Sequence, residues 1–186
     1  NTSYISATTL TNGNILIAYT DYGNLGYGTF VIYDSAGNLV KSPTVFENEN
    51  TLYISATTLT NGNILIAYGD EDNSGYGTFV IYDSAGNQVK SPTVFENAST
   101  YYISATTLTN GNILIAYQDN GNSNYGTFTI WGSSGASFAN MVGIGTTNPA
   151  YKLDVSSGTT DTVARFLSTD DLAQVLISDN DTTGYL

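Results

Sequence analysis

The sequence predicts an all-β protein that contains three antiparallel repeats followed by a tail of a different kind. The segment Tyr-Ile-Ser-Ala-Thr-Thr-Leu at residues 4–10 returns at 53–59 and 102–108, a period of 49 residues. Turn-forming Asn, Asp and Gly separate short runs of β-branched and aromatic residues. Charged residues make up only 11 % of the chain. This composition is typical of exposed β-structure rather than helices.

Four strands are predicted in each repeat, and in the first repeat they cover residues 5–11, 14–19, 27–33 and 39–46. Asn12-Gly13 predicts a tight hairpin in which both residues take a positive φ. The strand at 14–19 is apolar on both faces, so we expect it to be covered on both sides. Pro43 interrupts the last strand, and because proline donates no ladder hydrogen bond, this strand is predicted to be an edge. The aromatic residues Tyr19, Phe30 and Tyr33, with their copies, are predicted to be core.

The repeats cover residues 4–48, 53–97 and 102–131, within a predicted domain of residues 1–138. The first two repeats differ at five positions, and four of the five lie in one short stretch, at 20/69, 22/71, 23/72 and 25/74. The third repeat departs from the pattern near Trp131, which we expect to pack at the junction with the tail.

Four antiparallel strands in 40–50 residues is the size of a propeller blade. The repeats resemble the blade-like repeats of large bacterial surface proteins, in which a strand pair is followed by Asp-x-Gly-Asn-x-Gly-Tyr-Gly. A propeller needs about 4–8 blades. Three arrangements therefore remain open: further repeats before residue 1, a ring closed by several chains, or a trimeric prism without a ring.

The tail at residues 139–186 contains Gly-Ile-Gly-Thr-Thr-Asn-Pro-Ala-Tyr-Lys-Leu-Asp-Val at positions 143–155. This segment resembles phage tail fibres and related trimeric bacterial adhesin fibres. The resemblance implies an intertwined, β-rich homotrimeric shaft and a fragment of a longer fibre. Short Gly-rich strands bury little apolar area alone, which also favours self-association.

Charge and composition exclude several classes of function. A net charge of −12 repels phosphate, so nucleic acid is not an expected partner, and membrane insertion is not expected because no apolar run is long enough. The chain has no Cys and no His, which removes disulfides, thiolate metal sites and the commonest general base. We therefore predict that the chain is not an enzyme and holds no transition metal or other cofactor.

The candidate ligand-binding residues lie in the loop between the second and third strands of each repeat. Short carboxylates and amides bond sugar hydroxyls, tyrosine rings stack on sugars, and variable loops on a constant scaffold are where binding sites are usually built. These candidate residues are Asp21, Tyr22, Asn24, Tyr27, Asp70, Asn73, Tyr76, Asp119, Asn122 and Tyr125. The alternative reading is that Asp, Asn and Gly serve here only as turn residues and Tyr only as a strand residue.

Calcium is a further possibility, at the oxygen-rich run of residues 70–75, although the spacing lacks the distal glutamate of an EF-hand loop. The other two repeats offer fewer oxygen ligands there. Taken together, the sequence predicts the glycan-binding, receptor-binding portion of a homotrimeric fibre that attaches to a cell surface. We expect it on a virion tail fibre or an extracellular fibre. The alternatives are a purely structural spacer and a calcium-stabilised adhesin.

Overall fold

A computed structural model describes residues 1–132, 142–144 and 153–155. The chain divides into two compact units, Asn1–Ala139 and Asn140–Leu186. In the second unit, strands Val142–Ile144 and Leu153–Val155 pair in parallel. Everything else predicted for the intertwined fibre segment lies outside the described residues.

The described part of the first unit consists of nine antiparallel strands, which confirms the predicted all-β class. Each strand pairs with the strand that follows it in sequence. The strands are β1 (Thr2–Thr9), β2 (Ile15–Asp21), β3 (Tyr27–Tyr33), β4 (Leu39–Thr58), β5 (Ile64–Asp70), β6 (Tyr76–Tyr82), β7 (Gln88–Thr107), β8 (Ile113–Asp119) and β9 (Tyr125–Trp131). Single helical turns lie at Tyr22–Asn24 and Asn120–Asn122. Among the described residues, no helix is long and apolar enough to cross a membrane.

The two long strands β4 and β7 each belong to two repeats. The first half of β4 pairs with β3, and its second half pairs with β5. The expected break at Pro43 is therefore wrong. The pairing passes from Phe30↔Thr44 to Ile32↔Lys41, so Ser42 and Pro43 lie in a bulge. A bulge accommodates a residue without an N–H, and the strand continues through it. As predicted, this half of the strand pairs on one side only within the part of the chain that the structure describes.

The hairpin turns at Asn12-Gly13 and its copies differ from the predicted two-residue type. Leu10 N donates to Asn14 O at 2.8 Å, and Gly13 N donates to Leu10 O at 2.9 Å. Only Gly13 has a positive φ, of 85°. The loop thus has three residues, with glycine in the left-handed position of a bulge-type hairpin. Asn12 instead accepts a hydrogen bond from Asn14 N through its side chain, at 3.0 Å.

The core lies between the sheets of successive repeats, which pack face against face. One cluster joins Leu16, Ala18, Phe30 and Ile32 of the first repeat to the second repeat. The members from the second repeat are Ile54, Ala56, Ile64, Ile66, Tyr68, Val80 and Tyr82. A second cluster joins the opposite face of the second repeat, through Leu65, Ala67, Phe79 and Ile81, to Ile103, Ile113, Ile115 and Tyr117 of the third.

Only the second repeat meets the expectation of a strand that is covered on both sides. All of residues 64–69 in β5 are buried, whereas burial alternates along β2 and β8. For the first and third repeats the expectation is wrong, because within the described residues each has a neighbouring repeat on one face only. Trp131 packs against Phe79 with ring centroids 5.0 Å apart. Its predicted contact with the tail lies outside the described residues.

Hydrogen bonds also join the first strands of successive repeats. Ala56 N donates to Ser6 Oγ at 2.9 Å, and Ala105 N donates to Ser55 Oγ at the same distance. The hydroxyls of Thr8 and Thr58 lie 3.1 Å apart. These side-chain bonds fix the register of one repeat on the next.

Candidate functional site

The three variable loops lie at one end of the sheets, beside the first strand of each repeat. Thr2 pairs with Asp21, Thr51 with Asp70 and Thr100 with Asp119, so the start of each first strand adjoins the loop that follows β2, β5 or β8. We call this end of the described unit the loop edge: residues 20–27, 69–76 and 118–125, with the adjoining residues 1–4, 50–53 and 99–102.

The loop aspartates organise the backbone of each loop. Asp21 Oδ1 accepts from Gly23 N at 2.9 Å, Asp70 Oδ1 from Asn73 N at 3.3 Å, and Asp119 Oδ1 from Asn122 N at 3.2 Å. The main-chain oxygen of each aspartate accepts a second amide, from Gly26, Gly75 or Asn124. Two consecutive residues with positive φ follow in each loop: Leu25 and Gly26, Ser74 and Gly75, and Ser123 and Asn124. The loops therefore share the pair of positive-φ residues and the aspartate hydrogen bonds, while their exposed side chains differ.

The remaining predicted site residues are side chains at the surface of the loop edge. The amides Asn24, Asn73 and Asn122 are exposed. Tyr22 is 44 % exposed and Tyr125 is 65 % exposed, whereas Tyr27 and Tyr76 are partly buried. The loop edge thus combines exposed aromatic rings with exposed amide groups.

A row of tyrosines beside the loops was not predicted as part of the site. Tyr4, Tyr53 and Tyr102 occupy the same position in the three repeats and form what we call the tyrosine row. The Tyr4 and Tyr53 rings lie 5.0 Å apart, and those of Tyr53 and Tyr102 lie 5.3 Å apart. Tyr101 meets Tyr53 edge-on at 5.5 Å, and its hydroxyl accepts a bond from Asn120 Nδ2 at 3.3 Å. Tyr102 is 73 % exposed at the end of the row.

The tyrosine row has an unusual backbone conformation in all three repeats. The φ angles of Tyr4, Tyr53 and Tyr102 are 48°, 53° and 52°. A bulky residue rarely takes a positive φ, which costs on the order of 1–3 kcal/mol. In each repeat the strand pairing is interrupted at this residue, so a bulge carries the ring. The conserved period of the tyrosine was visible in the sequence, but the bulge was not.

Acidic side chains gather beside the second loop. The Tyr68 hydroxyl donates a hydrogen bond to Glu47 Oε2 at 2.9 Å. Burial, and then the charge of Glu47, raises the pKa of Asp70. A hydrogen bond with Asp72, and then the negative charge of Asp72, raises the pKa of Glu49, because both favour the protonated form of Glu49. Within the described residues, no group of three or more Asp or Glu side chains is placed to hold a metal ion.

Comparison with known proteins identifies the fold and no family. No protein-family model and no curated protein matches the chain. Similar solved structures include an α-L-arabinanase of Penicillium chrysogenum complexed with arabinobiose, a β-propeller, with a TM-score of 0.54 and 14 % identity over 70 % of this chain. A protein of unknown function from Dyadobacter fermentans has a TM-score of 0.50 and 15 % identity over 69 % of this chain. The matches span 41 % and 50 % of those two chains. At this identity they establish a β-rich, propeller-like fold alone.

Proposed function

We propose that this chain is the non-catalytic, receptor-binding portion of a fibre and that it binds a surface glycan along the loop edge. The observation that carries the proposal is the presence of exposed tyrosine rings, at Tyr22, Tyr102 and Tyr125, beside exposed amides of the variable loops. Aromatic rings of this kind stack on the apolar face of a sugar ring. Amide and carboxylate groups bond its hydroxyls. The first and third repeats would supply the exposed rings, and all three loops would supply an exposed amide.

The fibre context is proposed from the tail. The segment at residues 143–155 resembles phage tail fibres and trimeric adhesin fibres, which implies a homotrimer on a virion or a cell surface. Three chains with three repeats each would present many weak sites together. Avidity then strengthens attachment without any new contact.

The proposal excludes hydrolysis of the bound glycan, although one protein of similar fold is an arabinanase. Glycoside hydrolysis requires two carboxyl groups that flank one bond, about 5–9.5 Å apart, with an acid of raised pKa. The aspartates repeated in the loops accept backbone amides and hold the loop conformation. We assign them a structural role beside the ligand rather than a catalytic one.

A glycan array probed with the purified chain tests this function. We expect binding to a restricted set of glycans, and loss of that binding in the triple variant Tyr22→Ala, Tyr102→Ala and Tyr125→Ala. Val89→Ala is the matched control, because Val89 is an exposed apolar residue of β7 outside the loop edge. Thermal unfolding of each variant separates lost binding from lost structure.

Two arms of the same experiment address the alternatives. Unchanged binding by the triple variant would place the glycan site outside the loop edge. No binding by the parent chain would favour the structural spacer. Binding that disappears with EDTA and returns with Ca²⁺ would favour the calcium-stabilised adhesin. Release of free sugar from a bound glycan would contradict the non-catalytic assignment.

A further inference from the structure

The two outward faces of the repeat unit carry residues whose copies are buried inside it. Phe30 and Phe79 are 0 % and 1 % exposed, while the equivalent Phe128 is 62 % exposed. Ile54 and Ile103 are 7 % and 8 % exposed, while the equivalent Ile5 is 63 % exposed. Each difference occurs where, within the described residues, no neighbouring repeat covers the face.

The two outward faces belong to the third repeat and to the first repeat. Each is equivalent to one side of the contact between the first and second repeats, so the two faces have the same kinds of side chain as two faces that pack together. The third-repeat face presents Leu114, Ala116, Phe128 and Ile130. Its first-repeat equivalents are Leu16, Ala18, Phe30 and Ile32, which pack against the second repeat. The first-repeat face presents Ile5, Ile15, Ile17, Tyr19 and Tyr33. Its second-repeat equivalents are Ile54, Ile64, Ile66, Tyr68 and Tyr82, which form the other side of that contact.

We propose that the third-repeat face of one copy of this chain docks on the first-repeat face of a second copy and reproduces the contact between successive repeats. The occupant of each face is thus another molecule of the same chain. The contact joins two different surfaces head to tail, so it closes a ring or continues as a filament according to the rotation per repeat. Two copies would bring together six repeats, within the usual range of about 4–8 propeller blades.

Polar side chains of the third repeat are also exposed where their equivalents bond the following repeat. Ser6 and Ser55 each accept a backbone amide from the following repeat, and their equivalent Ser104 is exposed. Tyr102 would meet Tyr4 of the next copy, as Tyr53 meets Tyr102 within one chain at 5.3 Å. Docking would therefore also extend the tyrosine row.

Cysteine pairs test the register of the contact directly, since the chain has no native cysteine. Inside the unit, the Thr8 and Thr58 hydroxyls lie 3.1 Å apart. Two repeats further along, the corresponding pair is Thr106 of one copy and Thr9 of the next, and both are exposed. In the full chain, we expect Thr9→Cys with Thr106→Cys to give covalently linked chains on mild oxidation. Thr8→Cys with Thr58→Cys should close an internal disulfide without linking chains.

A wrong-register control is Thr9→Cys with Ser91→Cys, because Ser91 is exposed on the outer half of β7. The inference is overturned if this control links chains as well as the Thr9/Thr106 pair does. It is also overturned if the Thr9/Thr106 pair stays unlinked while Thr8/Thr58 closes. The two faces would then not dock on each other between copies. The proposed trimer, which rests on residues 143–155, would not be contradicted by that result.

Blocking one face at a time tests the head-to-tail direction. Ile5→Glu disables the first-repeat face and Phe128→Glu the third-repeat face, and both side chains are exposed, so the single chain should still fold. An Ile5→Glu chain that carries Thr106→Cys, mixed with a Phe128→Glu chain that carries Thr9→Cys, should give linked dimers and nothing longer. With the two cysteines exchanged between the variants, no linkage should form. Equal linkage in both mixtures would contradict the proposed contact.

Discussion

The hydroxyl of Thr20 in the first repeat donates a hydrogen bond of 2.6 Å to the carbonyl oxygen of Thr51, at the start of the second repeat's first strand. Both residues are fully buried. The bond joins the loop edge of one repeat to the next, where hydrogen bonds between the first strands also hold the register. Residue 20 is one of the positions that differ between repeats, and the second repeat has Gly69 there.

Thr20→Val should destabilise the chain while preserving its shape. The substitution removes the donor and leaves a buried carbonyl oxygen with one fewer partner, which costs about 1–3 kcal/mol. The measurement is the free energy of unfolding in urea. Thr29→Val is the matched control, since Thr29 is equally buried but its hydroxyl makes only a long bond of 3.4 Å to Tyr27 O. Equal losses of unfolding free energy in the two variants would contradict a stabilising contribution of the Thr20–Thr51 hydrogen bond.

Gly69→Thr should stabilise the chain by about 1 kcal/mol, through strand propensity and a new inter-repeat hydrogen bond. A Cβ at this position would lie 3.3 Å from Thr100 O, and the first repeat accommodates a threonine at the same place. Thermal unfolding tests the sign. Gly77→Thr is the contrasting variant, because its Cβ would lie 2.5 Å from the Phe95 ring and should destabilise. A lower Tm for Gly69→Thr would contradict the expectation.

Stability should fall in alkaline solution because of Tyr68. Burial, followed by the charge of Glu47, raises the pKa of Tyr68 above its usual value of about 10. A group whose pKa is raised on folding contributes its stability fully below the unfolded pKa and loses it as pH rises above that value. Urea unfolding between pH 8 and about pH 12 should therefore show a decline from about pH 10 upward.

Tyr68→Phe should reduce that alkaline decline, since it removes the titrating hydroxyl. Part of the decline should remain, because burial also raises the pKa of Tyr117, which donates to Glu96 at 2.8 Å. Val89→Ala is the control and should leave the slope unchanged, because it changes an exposed residue of β7 and removes no ionisable group. An unchanged slope for Tyr68→Phe would exclude Tyr68 as the cause.

The proposed homotrimer predicts a mass of about three times the 19.7 kDa chain mass in light scattering. The reason is the fibre-like segment at residues 143–155 together with its shortage of apolar area. A clean monomer would refute both self-association proposals. A clean dimer would refute the trimer alone and would agree with a ring of six repeats.

Much of the strand pattern was predictable from the sequence. Strands β2 and β3 begin and end within two residues of their predicted positions. The turn chemistry was less predictable, because Asn-Gly serves both two-residue and three-residue hairpins, and the choice follows the register of the strands it joins. The prediction of a break at Pro43 was wrong because Pro43 lies in a bulge, where the ladder requires no N–H from it. No local sequence pattern predicts that bulge.

The candidate site was predicted only in part. The variable loops could be found because four of the five differences between the first two repeats fall there. The aspartates of these loops accept backbone hydrogen bonds and so have a structural role. The sequence pattern alone does not show whether a carboxylate makes such bonds. The tyrosine row was missed because its members are 49 residues apart and meet only when successive repeats stack.

The sequence by itself determined the class of fold, the period of the repeat and the place where the repeats differ, since these depend on local propensity and on identity between segments. The tertiary structure alone decided which apolar residues are core. Phe30, Phe79 and Phe128 each end the same Tyr-Gly-Thr-Phe segment in equivalent strands, yet the first two are buried and the third is exposed. A residue on a sheet face is buried only when a second sheet packs against that face. The sequence of one repeat does not show whether a neighbouring repeat covers it.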